Sequence, residues 1–539
     1  MTFSERVLRH RLLLPALLLL GAAIAVSRGQ DAAWDLKNYH LYNAWAFFHG
    51  RLGIDLAPAS LQSYFNPLLD LPYFWLGTGP LSTSPRVLAA LQGLWYGGAV
   101  FLLCLIVRRF AGQEGRAPAW TDLAAIFIGA TGTMTLTQAG MSTNELPLAV
   151  LVMAGYLVAM PLAAQREGTL LGRAALAGLL CGLAAGLKPT AIVYAPALGF
   201  AVWAARGFRL AGLTEAVTLG VAALFGFFAA YGSWGYSLWH LTGNPIFPMF
   251  NQVFHSPWMP DAGGTDRQFM PKSVLQTLFY PFWWLRKNDT QGGNTFADAR
   301  YALAMLALLG AGAIALARRR PGAASNPVRR MLFTFVCAAY VLWLALYSIL
   351  RYAVPIEMLT GLTVLAAASL VAEALDRPRS RLTAAVIGAT LLITLATTRY
   401  TDWGHAPFAK TPFAVEAAAV TPGSLVVVLS APNAYVIPFV PNAEEATFVS
   451  LTWLNVLSQH HEFDQRVRAA IEGHEGPIYA ILRDTAAADG SLGQLTDILP
   501  GARMDSCSPI RSGLELTPRR RDLAEGLRLC KVVAARSKP

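Results

Sequence analysis

Polar and titratable side chains are concentrated in one stretch near the N-terminus, residues 34–75, between two strongly apolar segments. Its carboxylates, amides and imidazoles include those of Asp35, Asp70, Asn38, Asn66 and His40. Carboxylate and imidazole groups accept protons from substrate hydroxyls, and carboxylates also bind divalent cations. We therefore predict that residues 34–75 contain a catalytic site.

A helix over residues 34–48 would place four polar side chains on one face, because positions three and four apart are neighbours. They are Asp35, Asn38, Tyr39 and Tyr42. Asp35 is then the candidate catalytic carboxylate, acting as a general base or a metal ligand. Asn38 and Tyr39 become candidate substrate-binding groups beside it. The alternative is that Asp35 caps the N-terminus of this helix.

His40, Asn66 and Asp70 are further candidates for substrate binding. Asp70 follows Asn66 by four residues in the segment FNPLLDLP, a spacing that can bring a second carboxylate near Asp35. The alternative is a turn at the Asn-Pro pair and a solvated aspartate where the next helix begins.

Polar residues also occur at isolated positions in apolar surroundings. Glu145, with Asn144 beside it, is a second candidate catalytic or metal-binding carboxylate, although Ser142 and Glu145 also match a Ser-x-x-Glu capping box. Lys188 is a lone cation in GLAAGLKPTAI, and ionisable groups inside a membrane are usually paired or functional. Lys188 and Arg351 are candidates for binding phosphate. Their alternative role is to reach the lipid interface with their charged ends.

The composition is that of a membrane protein. The chain has 539 residues, of which 55% are hydrophobic and 14% charged, whereas soluble proteins carry about 25% charged residues. Several apolar runs approach the roughly 20 residues that cross a bilayer as a helix. The net charge of +11 comes mostly from short loops between these runs, which argues against nucleic-acid binding.

We predict an α-helical polytopic membrane protein with about eleven transmembrane helices. They are the N-terminal run LLLPALLLLGAAIAV and segments at about 87–107, 121–138, 145–163, 174–187, 190–205, 214–236, 300–317, 331–350, 353–373 and 382–398. The N-terminal run also resembles a signal peptide, with Ala23-Ile24-Ala25 as its cleavage site. We favour a retained first helix because so many further spans follow.

Arginines are concentrated in alternate loops, and this positive-inside bias sets the orientation. It predicts an integral protein of the cytoplasmic (inner) membrane, with the N-terminus in the cytoplasm and the C-terminus outside. Loops 29–86 and 237–299 then face outward. The aromatic residues of the second loop suit a lipid interface, as short helices lying along the membrane.

Residues 399–539 have a different composition. Segments 424–431, 446–451, 477–484, 508–512 and 527–533 predict short strands, and WLNVLSQHHEFDQRVRAAIEG predicts a helix between two of them. Alternating strands and helices are typical of an α/β domain. We therefore predict a membrane region at 1–398 and a small extracytoplasmic α/β domain at 399–539.

The five cysteines fall into two groups. Cys104, Cys181 and Cys337 lie in apolar segments and are expected to be small buried side chains. Cys507 and Cys530 lie in the polar C-terminal region. If that region faces an oxidising compartment, the two can form a disulfide.

The order of these features resembles the GT-C class of membrane glycosyltransferases, distantly like the protein mannosyltransferase and aminoarabinose transferase families. The resemblance rests on Asp35 in the first outer loop, followed by a Tyr-rich helix and an Asn-Pro-Leu segment. It continues in TNELPLAVLVMAGY, GLAAGLKPTAIVYAP and RYAVPIEMLTG, and covers roughly the whole membrane region. Two positions depart from it: Leu36 follows Asp35 where some relatives have an Asp-Glu pair, and Asn66-Pro67-Leu68 stands where the aminoarabinose and related transferases have Lys-Pro-Pro-Leu.

The resemblance implies an inverting glycosyltransferase. Its donor would be a sugar on a polyprenyl phosphate or diphosphate, and its acceptor a saccharide, lipid or protein at the outer face of the bilayer. Asp35 would be the general base and Glu145 an auxiliary acidic group or metal ligand. Lys188 and Arg351 would hold the lipid-linked phosphate. A divalent metal ion is the one cofactor it suggests.

Two other functions fit the same sequence. A transporter or flippase of lipid-linked or acidic substrates shares the polytopic body and the helix pair broken at Lys188-Pro189. Against it, no internal repeat is visible, and the polar residues concentrate at one membrane face. A non-catalytic envelope assembly protein is the third possibility, and it predicts that Asp35→Asn leaves function intact.

Overall fold

The computed structural model describes residues 2–165, 167–261, 267–291, 294–318, 326–452, 461–483, 486–515 and 526–534. The chain divides into two compact units, each assembled from three segments. Unit 1 comprises Met1–Ala25, Leu91–Gly232 and Thr265–Asp402, and unit 2 comprises Val26–Ala90, Ser233–Gly264 and Trp403–Pro539. The predicted division into residues 1–398 and 399–539 stays a prediction.

The apolar part of the chain is α-helical. The helices over the predicted apolar segments are Leu13–Arg28, Pro85–Gln113, Trp120–Ala130, Glu145–Ala164, Leu171–Leu187, Tyr194–Ala205, Leu210–Thr242, Arg300–Arg318, Pro327–Leu346, Val354–Ala374 and Arg379–Thr397. Among the described residues, six helices are long and apolar enough to cross a membrane. A seventh is counted if Phe3–Arg9 and Leu13–Arg28, which meet at a 78° bend, form one span. These helices indicate a membrane protein, while the count of eleven spans and their orientation stay predictions.

Glycine allows close helix packing in unit 1. Gly178, Gly182 and Gly186 recur at every fourth position of the Leu171–Leu187 helix. A Cβ atom at Gly178 would clash with the carbonyl oxygen of Leu219 in the Leu210–Thr242 helix. Small residues at this spacing are typical of closely packed membrane helices. The contact fixes the helix that ends just before Lys188.

The described residues contain nine strands, numbered β1–β9 in chain order. They are Gln30–Asp31, Asn288–Gln291, Asn294–Phe296, His405–Ala406, Leu425–Val428, Thr447–Ser450, Ile478–Arg483, Arg503–Pro509 and Leu527–Val533. In unit 2, β5–β9 form one sheet in the order β6-β5-β7-β9-β8. β5, β6 and β7 are parallel, and β9 runs antiparallel to both of its neighbours. β1 pairs with β4 in unit 2, and β2 with β3 in unit 1.

The first loop extends the sheet of unit 2 at its β6 edge. Leu56 forms a parallel bridge with Val449, so its backbone N–H bonds to the Phe448 carbonyl and its carbonyl accepts from the Ser450 N–H. Because an edge strand otherwise has unpaired backbone groups, this bridge covers part of that edge.

Sequence patterns located four of the five strands of this sheet, since β5, β6, β7 and β9 lie within the predicted segments. The segment 508–512 overlaps only the end of β8, which begins at Arg503. The helix Glu462–Glu472 is the second part of the predicted helix, and residues 453–460 lie outside the described residues. The helix Ala486–Ile498 was not predicted, because Gly490 and Gly493 weaken its apolar pattern.

Candidate functional site

Glu145 and Lys188 form an ion pair in unit 1. The Nζ atom of Lys188 lies 2.8 Å from Oε1 of Glu145 and also donates to the carbonyl of Thr143, again at 2.8 Å. Glu145 is buried, and the Lys188 side chain is 14% exposed. The pair joins the first residue of one helix, Glu145–Ala164, to the residue that follows another, Leu171–Leu187.

The sequence around Lys188 explains where the lysine lies. Proline lacks a backbone N–H and disfavours helical geometry in the residue before it. Lys188 precedes Pro189 and is extended, with φ of −146° and ψ of 113°, and a short 3-10 helix, Pro189–Val193, follows. The apolar helix therefore ends just before Lys188, and the lysine side chain projects from the break between the two helices.

Glu145 faces the lysine instead of closing a capping box. Asn144 is the N-cap residue, in the left-handed conformation with φ of 72°, and Glu145 is the first residue of the helix. A capping box requires the glutamate at the third helical position, so the Ser142–Glu145 box does not form. Oε2 of Glu145 is buried and has no hydrogen-bond partner among the described residues.

Arg351 brings a second cation to the same carboxylate. Its Nε atom lies 3.6 Å from Oε1 of Glu145. The charged ends of Arg351 and Lys188 lie 5.6 and 5.4 Å from the ring centre of Tyr352, within the range of cation–π attraction. The hydroxyl of Tyr194 donates to the Tyr352 carbonyl at 2.5 Å and so fixes the backbone beside Arg351.

A small cleft adjoins this carboxylate. Its lining includes Glu145, Thr190, Tyr194, Arg351, Tyr352 and Pro355. Lys188 and Arg351 carry two positive charges against the single negative charge of Glu145. Arginine and lysine are the side chains that bind phosphate in proteins. The charges of this arrangement therefore favour an anion over a cation beside Glu145.

The candidates within residues 29–86 lie in unit 2, around a π-helical turn. Leu36–His40 forms this turn and the helix Leu41–Phe48 follows it. A π turn closes hydrogen bonds between residues five apart, so the face predicted for a regular α-helix over 34–48 is not preserved. Asp35 is buried and makes no side-chain cap bond to the π turn. The capping alternative for Asp35 is therefore not seen there.

His40 and Asp70 form a buried pair, with Nδ1 of the histidine 2.7 Å from Oδ1 of the aspartate. The rings of His40 and Tyr39 lie 4.2 Å apart. Nε2 of His40 is buried without a hydrogen-bond partner among the described residues. A carboxylate that hydrogen-bonds to one imidazole nitrogen fixes the orientation of the ring, and the other nitrogen can then accept a proton.

The candidates Asn38 and Asn66 have local structural contacts. The Nδ2 atom of Asn38 donates to the Ala59 carbonyl at 3.2 Å and to Oε1 of Gln62 at 3.3 Å. Oδ1 of Asn66 accepts from the Leu68 N–H at 3.2 Å, across Pro67. Asn66 thus makes the Asn-Pro turn that was the alternative to substrate binding.

The π turn is also bonded to the sheet of unit 2 through a residue that sequence patterns missed. Oε1 of Glu515 lies 3.4 Å from Nζ of Lys37 and 2.9 Å from a guanidinium nitrogen of Arg483, and accepts from the Tyr435 hydroxyl at 2.9 Å. Burial alone would raise the pKa of Glu515, but Lys37 and Arg483 outweigh it, so the pKa lies below its ordinary value. Glu515 is therefore a charged link between the π turn and the sheet.

The predicted site residues thus form two groups, one in each unit. Glu145, Lys188 and Arg351 meet in unit 1, and His40 and Asp70 meet in unit 2. Tyr352 was missed, although it directly follows Arg351 in the sequence. Within the described residues, no three His, Cys, Asp or Glu side chains are grouped as metal ligands.

Cys507 and Cys530 lie opposite each other on β8 and β9 and are joined by a disulfide in the structure.

Comparison with known proteins adds no assignment: no protein-family model and no curated protein matches this chain.

Proposed function

We propose that the chain is a membrane glycosyltransferase of the GT-C class, which moves a sugar from a polyprenyl-phosphate-linked donor to an acceptor at the outer face of the cytoplasmic membrane. The convergence of Lys188 and Arg351 on Glu145 carries this proposal. The three residues come from distant parts of the chain. The resemblance implies phosphate binding for Lys188 and Arg351, and an auxiliary acidic or metal-binding role for Glu145.

The charges of this group suit a lipid-linked phosphate. The donor phosphate carries negative charge, and the leaving group gains more as the glycosidic bond breaks. Two cations beside apolar helices stabilise that charge where a lipid headgroup lies, and stabilisation of developing charge is commonly the largest catalytic contribution. Glu145 keeps the two cations together, because an unpaired buried cation is costly.

The proposed reaction is a single displacement. The acceptor hydroxyl oxygen forms a bond to the anomeric carbon while the bond from that carbon to the donor phosphate breaks. The resemblance assigns the hydroxyl proton to Asp35 as general base. The polyprenyl phosphate or diphosphate leaves with the bonding electron pair, and Lys188 and Arg351 bind it. Attack opposite the leaving group inverts the configuration of the sugar.

In the proposed site, Glu145 pairs with Lys188 and Arg351 rather than with a metal ion. A divalent ion at Glu145 would lie beside Lys188 and Arg351, and like charges at that range repel each other. Positive charge at the phosphate is already supplied by the two side chains. Of the two candidate metal ligands, Asp35 and Glu145, only Asp35 then remains a candidate for binding a divalent ion.

The decisive experiment measures transfer of labelled sugar from polyprenyl-linked donors by the full chain in proteoliposomes. We expect transfer by the wild type, loss with Asp35→Asn, and weaker donor binding with Lys188→Met. Matched controls are Asp505→Asn and Lys410→Met, which change exposed residues of the same types. Full transfer by Asp35→Asn would remove Asp35 as the base, and unchanged donor binding by Lys188→Met would remove the phosphate site.

A flippase is the second candidate, and the position of Lys188 in the break between two helices favours it, since transporters bind substrates at broken helices. The same proteoliposomes distinguish the two functions. Movement of labelled lipid between leaflets without sugar transfer from any donor would favour the flippase. The assembly protein would show neither activity.

A further inference from the structure

Residues 271–287 of unit 1 form an exposed apolar surface. The helix Val274–Phe279 has no buried residue, and Val274, Leu275 and Leu278 are 78%, 62% and 57% exposed. The exposed apolar side chains, called the 274–285 surface below, are Val274, Leu275, Leu278, Phe279, Trp283 and Leu285. Exposed contiguous apolar patches usually mark a binding surface.

Two buried aromatic residues fix this segment to unit 1. The Trp284 side chain is fully buried, and its ring centre lies 5.1 Å from that of Tyr301 and 6.1 Å from that of Trp343. Tyr280 is also buried, and its hydroxyl donates to the Phe269 carbonyl at 2.7 Å. The surface is therefore held in place from beneath, with its apolar side chains pointing away.

The position of these anchors indicates what covers the surface. Tyr301 lies at the start of the helix Arg300–Arg318, and Trp343 lies near the end of the helix Pro327–Leu346, which is long and apolar enough to cross a membrane. Because Trp284 contacts both, it lies at the end where these two apolar helices meet the polar part of the chain. That is the level at which a bilayer has its interface.

The charges around the 274–285 surface indicate which kind of partner it binds. Lys272, Arg286 and Lys287 are exposed, and residues 271–287 contain no aspartate or glutamate. A short apolar helix with cations on both sides is typical of elements that lie in the interface of a membrane. Lysine and arginine near a membrane surface are attracted to anionic headgroups.

We propose that the 274–285 surface lies in the interface of a bilayer that contains anionic phospholipid. The apolar side chains enter the upper acyl region, and Lys272, Arg286 and Lys287 contact the phosphates of the headgroups. Unit 1 is thereby held to one leaflet by an element that does not cross the membrane. The inference is independent of the sugar-transfer reaction.

Depth measurement by spin labelling tests the proposal on the full chain in nanodiscs. A nitroxide is attached at Leu278→Cys, with Cys104, Cys181 and Cys337 replaced by alanine and the Cys507–Cys530 disulfide intact. The control label is at Glu472→Cys, an exposed position of unit 2. We expect the label at 278 to collide with oxygen more often than with a water-soluble nickel chelate, and the label at 472 to show the reverse. Equal access to the nickel chelate at both sites would overturn the proposal. So would protection of the 278 label from both reagents, which would indicate a protein occupant or a second copy.

Lipid charge is tested with the same label. We expect the 278 label to lie deeper in phosphatidylglycerol than in phosphatidylcholine nanodiscs. Changing Lys272, Arg286 and Lys287 to glutamine removes that difference, whereas changing the exposed Arg503, Arg511 and Lys531 to glutamine keeps it. Equal depth in the two lipids for the unsubstituted surface would overturn the assignment to anionic lipid.

Discussion

The ammonium of Lys188 and the carboxylate of Glu145 lie 2.8 Å apart, although 43 residues separate them in the chain. Both charges lose much of their hydration, so each depends on the other for compensation. The pair also fixes two helix ends, because Lys188 follows one helix and Glu145 begins another. Its removal should therefore affect stability as well as donor binding.

A double-mutant cycle on Lys188 and Glu145 separates these effects. We expect Lys188→Met to lower the free energy of unfolding by about 2 kcal/mol, because it leaves Glu145 with Arg351 alone at 3.6 Å. Adding Glu145→Gln should restore part of the loss, which gives a coupling energy of about 1–3 kcal/mol. The free energy is measured by SDS titration in mixed micelles, with Lys410→Met as the exposed control. Additive effects of the two substitutions would show that the pair contributes nothing.

The sequence predicted the parts of this site that depend on local rules. A lone lysine before a proline in an apolar run, and an arginine next to another span, are visible without a structure. The contacts of Lys188 and Arg351 with Glu145 were not predicted, since no pattern in one sequence specifies contacts between distant helices. Tyr352 was missed because an aromatic residue in an apolar run has no distinctive signal.

The fold of unit 2 was likewise predictable only where local sequence patterns determine it. Strand segments were predicted because short apolar runs, such as the one over β5, mark buried strands. The π turn at Leu36–His40 was not, because its extra residue has no sequence signature that we could identify, and it changes which side chains share a face. The link from Lys37 to Glu515 joins segments that are almost 500 residues apart, and only tertiary packing determines it.

Loss of the Glu515 charge should loosen the π turn. We expect Glu515→Gln to increase opening of residues 36–40 roughly tenfold, about 1.4 kcal/mol, because Lys37 and Arg483 lose the negative charge that they share. Hydrogen exchange of peptides over 34–48 measures the opening, and peptides over β5 serve as the internal reference. Glu515→Asp should retain most of the protection, and Glu472→Gln should change nothing. Equal loss of protection in β5 would mean that the whole unit had been destabilised.

The same link predicts a pH dependence with a definite sign. The pKa of Glu515 is lower in the folded protein than its ordinary value, so its stabilising contribution is complete above that ordinary value. The contribution is lost as the pH falls through the folded pKa. We expect protection of residues 36–40, corrected for intrinsic exchange rates, to fall over that acidic range in the wild type. In Glu515→Gln this part of the pH dependence should be absent.

The pair Arg51–Asp55 should contribute strongly to the stability of unit 2. Asp55 accepts from Arg51 through two nitrogens, at 3.0 and 2.7 Å, from the Tyr42 hydroxyl at 2.9 Å and from the Phe448 N–H at 2.9 Å. We expect Asp55→Asn to cost about 3 kcal/mol of unfolding free energy, since it leaves the buried Arg51 charge unpaired. Arg51→Lys should not preserve stability, because lysine lacks the two-pronged geometry.

The control for Arg51–Asp55 is the exposed pair Arg466–Glu462, whose nitrogen and oxygen lie 2.6 Å apart. Exposed pairs contribute about 0–1 kcal/mol, so Glu462→Gln should be nearly neutral. Comparable losses from Asp55→Asn and Glu462→Gln in the SDS titration would contradict the role given to burial.

The Cys507–Cys530 disulfide should stabilise the segment that carries Glu515. The bond joins β8 to β9 across a separation of 23 residues, and Glu515 lies between the two cysteines. Closing a loop of this length contributes about 3 kcal/mol in the chain-entropy description. We expect Cys507→Ala with Cys530→Ala to lower stability by about that amount and to raise exchange in residues 36–40. Cys337→Ala, which removes a free cysteine, is the matched control. Thiol labelling of protein taken from its native membrane, without reductant, checks the premise, and two reactive thiols at 507 and 530 would refute it.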